Sequence, residues 1–222
     1  MKQIKYLTVK FDAPIKFHEV PAFRGAISAK VPRSSVLFHN HDGDKLRYAY
    51  PLIQYKRIKG NASLVCLGEG MESVREFFLN KDWAIEVSGR KIPMEITDFN
   101  MKDIQLAVQK EKKQYIIRSW MPLSSETLKV YQEKEWLSER IAMLESKLVG
   151  NILAMAKGLD WRIQDQIECS IIDIINQQSS TFKKQKMLIF DIIFKTNVCL
   201  PQAIGLGRKT GFGYGVVSKW NK

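Results

Sequence analysis

The apolar residues of this chain change their spacing in the same order twice, and that repetition limits its fold more than any other feature. Ile4 to Phe11 alternates in the manner of a half-buried strand, with Ile4, Tyr6, Thr8 and Lys10 on one face. The spacing over Phe17 to Lys30 predicts a helix. Hairpin signals follow: SVLFHNH, the turn-rich DGD, LRYAYPLIQYKRI, a polar KGN turn and ASLVCLG predict three strands. Glu72 to Leu79 predicts a short helix, and Trp83 to Val87 opens a strand pair that ends near Phe99. The order then starts again. Gln114 to Trp120 predicts a strand and Ser124 to Ala156 one long amphipathic helix, with Leu128, Tyr131, Leu137, Ile141, Leu144, Leu148 and Ile152 along one stripe. Ser124 is placed to cap its start and Gly158 its end. Gln164 to Ile175 and Lys186 to Leu200 predict two strands on either side of the polar NQQSSTFKK, and Tyr214 to Trp220 a last one.

Strand, helix, two strands, connector and closing strand, written twice, predicts an α+β chain of two tandem ferredoxin-like (RRM-like) domains. In the second half a C-terminal glycine-rich loop stands where the final helix would be. A length of 222 residues accommodates two such units. The expected domains are residues 1–105 and 106–222, with the boundary between Phe99 and Lys113 and the basic KEKK before Gln114 as a candidate joint.

Composition bears on partners. The net charge is +12, and from Thr181 to Lys222 eight basic residues face one acid, Asp191. Such an excess suits a polyanion, either nucleic acid or an anionic membrane. The tail is glycine-rich and not an amphipathic helix, which disfavours the membrane. Cys66, Cys169 and Cys199 are scattered and form no Cys-x-x-Cys pair, so neither a disulfide frame nor a zinc site is suggested. The opening MKQIKYLTVKF lacks the apolar run of a signal peptide, and no stretch approaches a membrane span. The expectation is a soluble, cytoplasmic protein.

Five glycines lie within GLGRKTGFGYG, at Gly205, Gly207, Gly211, Gly213 and Gly215, and enclose Arg208 and Lys209. Glycine lets the backbone approach a phosphate while Arg and Lys supply charge. Phe212 and Tyr214 add rings on which bases can stack. The segment is not a nucleotide P-loop, because Arg208 stands where glycine is required and no adequate helix can follow. A hairpin that merely turns the chain is the plainer alternative. The candidate RNA contacts are Gly205, Gly207, Arg208, Lys209, Gly211, Phe212 and Gly213, with Lys183 and Lys184 from the same basic end.

His39 and His41 flank Asn40, and in an extended segment residues two apart share a face. Tyr48 and Tyr50 fall on the expected partner strand. An ordinary imidazole pKa of about 6.5 leaves both protonation states populated near neutrality, as acid–base work requires. RNA carries its own nucleophile, the 2′-hydroxyl, so cleavage needs one base and one acid and no metal. Tyr48 is then suited to orient the ribose or to donate to the phosphate. A zinc or manganese site from His39, His41, Asp42 and Asp44 is the lesser alternative, and surface histidines without a role the plainest. His18 is read as structural.

The tail GLGRKTGFGYGVV, with GFG followed by a strand, resembles the C-terminal glycine-rich loop of the RAMP superfamily of CRISPR-associated proteins. Within it, HNHDGDKLRYAYPLIQYKRIKG and WLSERIAMLESKLVGNILAMAKG resemble the CRISPR repeat-processing endoribonucleases of the b-type branch. The resemblance spans essentially the whole chain, and the histidine segment narrows it to that branch. It implies precursor CRISPR repeat RNA as the partner, cleavage within each repeat to release guide RNAs, a 2′,3′-cyclic phosphate product and no metal or other cofactor. It carries the catalytic pair to His39 and His41 and the tyrosine to Tyr48. Non-catalytic relatives share the glycine loop, so an RNA-binding subunit of a CRISPR effector complex is the second reading. Tyr131 and Trp136 are candidates for the core or for the face of a homodimer.

Overall fold

The structure, a computed structural model, describes residues 1–39, 41–42, 45–46, 49–80, 82–182 and 185–220, with the side chains of 41, 42, 45, 46, 181, 182, 185 and 186 outside the description. The chain divides into two units. The first comprises Gln3–Ile104 together with Gly211–Gly213; the second comprises Met1–Lys2, Gln105–Thr210 and Tyr214–Lys222.

In the N-terminal unit, β1 (Lys2–Pro14) leads through a 3-10 turn at Phe17–Glu19 into α1 (Val20–Ser28) and the short α2 (Val36–His39). A hairpin of β2 (His41–Asp42) and β3 (Lys45–Leu46) precedes β4 (Ile53–Ile58) and β5 (Asn61–Leu67). After α3 (Glu69–Ser73) and α4 (Arg75–Phe78) come β6 (Ile85–Val87), β7 (Arg90–Ile92) and β8 (Ile96–Leu106). The main sheet has the order β4-β5-β1-β8, which is the split βαβ order of a ferredoxin-like fold. Its hairpin closes at Lys59 and Gly60, both with positive φ, as a two-residue turn between twisted strands demands.

Alternation in β1 has the expected consequence: Leu7, Val9, Phe11 and Ala13 enter the core. Phe11 meets Phe23 of α1 edge-on at 6.4 Å and Phe77 of α4 at 6.3 Å, so one strand residue holds a helix from each crossover. Such pairs contribute about 0.5 to 1.5 kcal/mol each beyond their buried area.

The C-terminal unit runs β9 (Val108–Trp120), α5 (Ser125–Glu133), α6 (Leu137–Gly158), β10 (Cys169–Phe182), β11 (Gln185–Val198) and β12 (Val216–Lys219). Its order, β10-β11-β9-β12, repeats that of the first sheet. Between β11 and β12 the connector contains only a 3-10 turn at Thr210–Phe212 in place of a helix. Tyr131 is buried against Phe190, ring centroids 6.0 Å apart, whereas Trp136 is 69% exposed.

Several local expectations are corrected. The expected long helix is two: the chain extends at Lys134 and Trp136, and the carboxylate of Glu139 accepts the Trp136 N–H at the start of α6. The step of six from Tyr131 to Leu137 marks that break, since no single helix face continues across it, and Leu137 is exposed. Ser124 does cap α5, accepting the Thr127 N–H at 3.2 Å. The polar NQQSSTFKK is not a connector in its first seven residues, which belong to β10, an edge strand facing solvent. KEKK lies inside β9 rather than at a joint.

Candidate nucleic-acid interface

The segment read as the strand SVLFHNH begins instead as α2. Phe38 is fully buried and anchors the turn in the core, its carbonyl accepting the Ser28 hydroxyl at 3.3 Å. Backbone N–H groups of Phe38 and His39 both donate to the Ser35 carbonyl, and the Ser35 hydroxyl donates to Glu76. His39 therefore leaves the end of a helical turn and His41 lies in β2, so the two do not share a face of one strand. Three apolar residues, Val36, Leu37 and Phe38, are too few for periodicity to separate helix from strand, and burial of Phe38 decides.

His39 is half-buried, and its Nε2 lies 3.1 Å from the Pro32 carbonyl. That oxygen can only accept, so Nε2 carries a proton and Nδ1 is the nitrogen left to exchange one. The imidazole of His41 lies outside the described side chains, and Asn40, Tyr48, Lys183 and Lys184 lie outside the described residues. The arms of this hairpin are short, two residues each, in register His41↔Leu46 and Asp42↔Lys45, so the first residue of DGD belongs to the first arm. Tyr50 is not on that hairpin; burial holds its hydroxyl well above the ordinary tyrosine range. Among the described residues no three His, Cys, Asp or Glu side chains are grouped to hold a metal ion.

The glycine-rich loop spends much of its glycine content on the protein itself. Its arms pair through a bridge between Gly205 and Val216 and through the Leu206 N–H donating to the Gly215 carbonyl at 2.9 Å. The Arg208 N–H donates to Met121 and the Gly215 N–H to Ser119, which ties the arms to the end of β9. At Gly207, φ is +91° and a Cβ would lie 2.8 Å from the Trp120 indole nitrogen; at Gly215, φ is +65° and it would lie 1.9 Å from the Leu206 carbonyl oxygen. These two are therefore demanded by packing. Gly211 differs, with nothing nearer than Pro51 at 3.6 Å. Arg208 is exposed, and Lys209 beside it is half-buried with φ of 60°.

Within the N-terminal unit, the tip Gly211–Gly213 packs on α1 and β4: a Cβ on Gly213 would meet Val20 at 3.2 Å. The Phe212 ring lies under the Arg24 guanidinium, 4.5 Å from ring centroid to guanidinium carbon, and the same guanidinium is 6.0 Å from the Tyr55 centroid. One face of Phe212 is thus already covered. Sequence reading did not single out Arg24, because RGAIS on a helix carries no motif. Lys56 was missed as well. It lies on the face of β4 opposite Tyr55, fully buried, and burial pushes its ammonium down to about 7; its only trace in the sequence is alternation with Ile53 and Tyr55.

Residues 2–105 match the family model for the Cas6b N-terminal domain and residues 107–220 that for the Cas6b C-terminal domain. The chain belongs to the Cas6b family. This is the b-type branch that the tail and the histidine segment resemble. A crystal structure of Cas6b superposes with a TM-score of 0.90 at 22% identity, covering 99% of this chain and 100% of that one. A second, of the CRISPR RNA processing endoribonuclease Cas6b, gives 0.76, also at 22% identity, with coverage of 99% and 100%. The fold of this chain is therefore the Cas6b fold. An uncharacterized protein of Methanocaldococcus jannaschii, MJ0978, is 30% identical over 101 residues, which is 46% of this chain and 67% of that protein. Among the described residues no helix is long and apolar enough to cross a membrane.

Proposed function

We propose that this chain is an endoribonuclease that cuts CRISPR repeat RNA in precursor transcripts, in the cytoplasm, and releases guide RNAs. The 2′-oxygen of one ribose attacks the adjacent phosphorus as a histidine removes its proton. A second histidine protonates the departing 5′-oxygen, which leaves a 2′,3′-cyclic phosphate on one product. His39 and His41 are the pair, Tyr48 orients the ribose or donates to the phosphate, and no metal takes part. Arg208, Lys209 and the glycine-rich loop hold the strand, with Lys183 and Lys184 adding charge.

The observation that carries this reading is the imidazole of His39 in a Cas6b chain: its Nε2–H is engaged by Pro32, which orients the ring and reserves Nδ1 for proton transfer. Wild type and a His39→Ala, His41→Ala double variant are incubated with repeat RNA in EDTA, and both binding and product ends are followed. Wild type cuts and the double variant binds equally well, with its rate lower by a factor of about 10² to 10⁴ per lost group. RNA with a 2′-deoxyribose at the cut site resists. Cutting that stops on chelation removes the metal-free mechanism. Tight binding without cutting by either protein leaves the non-catalytic RNA-binding subunit as the function.

A further inference from the structure

We infer a phosphate-binding subsite in the N-terminal unit, built on Arg24 and held in place by Phe212 of the glycine-rich tip. This rests on the reading of the chain as an RNA-binding protein and adds to it a contact on α1. The ligand is a phosphodiester of the RNA backbone.

Arg24 projects from the middle of α1, between the buried Phe23 and the open Gly25. Its guanidinium is half-buried, lies over the Phe212 ring and reaches towards Tyr55. Among the described residues it has no carboxylate partner and no hydrogen-bond acceptor, although other partly buried ions of this unit are paired, Glu19 with Arg90 at 2.6 Å for one. A guanidinium has five N–H donors in a plane, and stacking uses only its faces. The edges therefore remain available. Burial lowers its pKa, yet a guanidinium stays charged, so the desolvated cation gains most from an incoming anion. Phosphate fits the fork in a bidentate manner.

The aromatic contacts also lessen the cost of binding, because the side chain is immobilised before any ligand arrives. Phe212 then acts as a positioning residue for Arg24. This assigns the tip a role distinct from presenting bare backbone to RNA.

The test is equilibrium binding of a labelled oligouridylate of about 12 nucleotides, measured by anisotropy across a salt series on the intact protein. Arg24→Gln is expected to weaken binding about tenfold and to lower the slope of log K against log salt by about 0.7, the value for one phosphate contact on a single strand. Phe212→Leu keeps the charge, so its slope stays at the wild-type value while affinity falls about threefold through lost positioning. A subsite that only clamps the tip predicts a lower Tm in both variants with an unchanged slope, and that result overturns the inference. If Arg24→Gln does not fold, Arg24→Lys decides: weaker binding at an unchanged slope supports the planar contact, and wild-type affinity overturns it. Wild-type protein that binds no RNA sinks the RNA reading itself, whereas RNA binding that is indifferent to Arg24 sinks only this subsite.

Discussion

Lys56 allows the packing of β4 to be tested by titration. Its ammonium, ordinarily at 10.5, is pushed down to about 7 because burial penalises only the charged form. Between those values the unfolded chain holds a proton that the folded chain has released, so stability rises with pH across that window. Below about pH 7 both states are protonated and the burial penalty is fully present; above 10.5 both are neutral and it is gone. At about 1.4 kcal/mol per pH unit the full penalty is on the order of 4 to 5 kcal/mol, and roughly half is relieved between about pH 6 and about pH 9. Lys56→Met keeps the stem and removes the titration. Urea denaturation of both proteins should show the Met variant more stable at low pH, with the gap narrowing by about 2 to 3 kcal/mol over that range. Titrating groups that do not interact with Lys56 cancel in the difference. A gap that is constant or widens with pH refutes the reasoning, since the buried ammonium would then carry no penalty.

Gly215→Ala should destabilise by about 3 kcal/mol or more, since its methyl would collide with the Leu206 carbonyl, whereas Gly211→Ala should cost no more than about 1 kcal/mol; chemical denaturation separates the two. Phe23→Ala removes a fully buried ring in contact with Phe11 and Tyr55 and should cost about 3 to 5 kcal/mol, visible as a large fall in the denaturation midpoint. Ser124→Ala should cost about 1 kcal/mol by leaving the Thr127 N–H of α5 without its cap, and Ser124→Thr should restore most of it.

Where local pattern and burial agree, the chain is legible without coordinates. The alternation of β1, the Lys59–Gly60 turn, the Ser124 cap and the duplicated strand order are all written at short range, in periods of two and 3.6 and in turn chemistry. The order of elements implies the split βαβ sheet of each half, because right-handed crossovers leave few ways to place those strands. The glycine cluster and paired histidines could be found in the same way. Their geometry could not. Residues 36–39 turn into helix because Phe38 has a core to enter, which shifts His39 from a strand face to a carbonyl-anchored imidazole.

The same division applies to the tail. Its sequence by itself determined that a backbone of unusual freedom and positive charge lies between two strands, since five glycines and Arg208–Lys209 permit little else. Only the tertiary structure decided that Gly207 and Gly215 serve close packing and that Phe212 rests under Arg24, some 190 positions away in the chain. Local propensity is set by neighbours in sequence, whereas burial and stacking are set by neighbours in space, and no periodicity within either segment encodes that meeting.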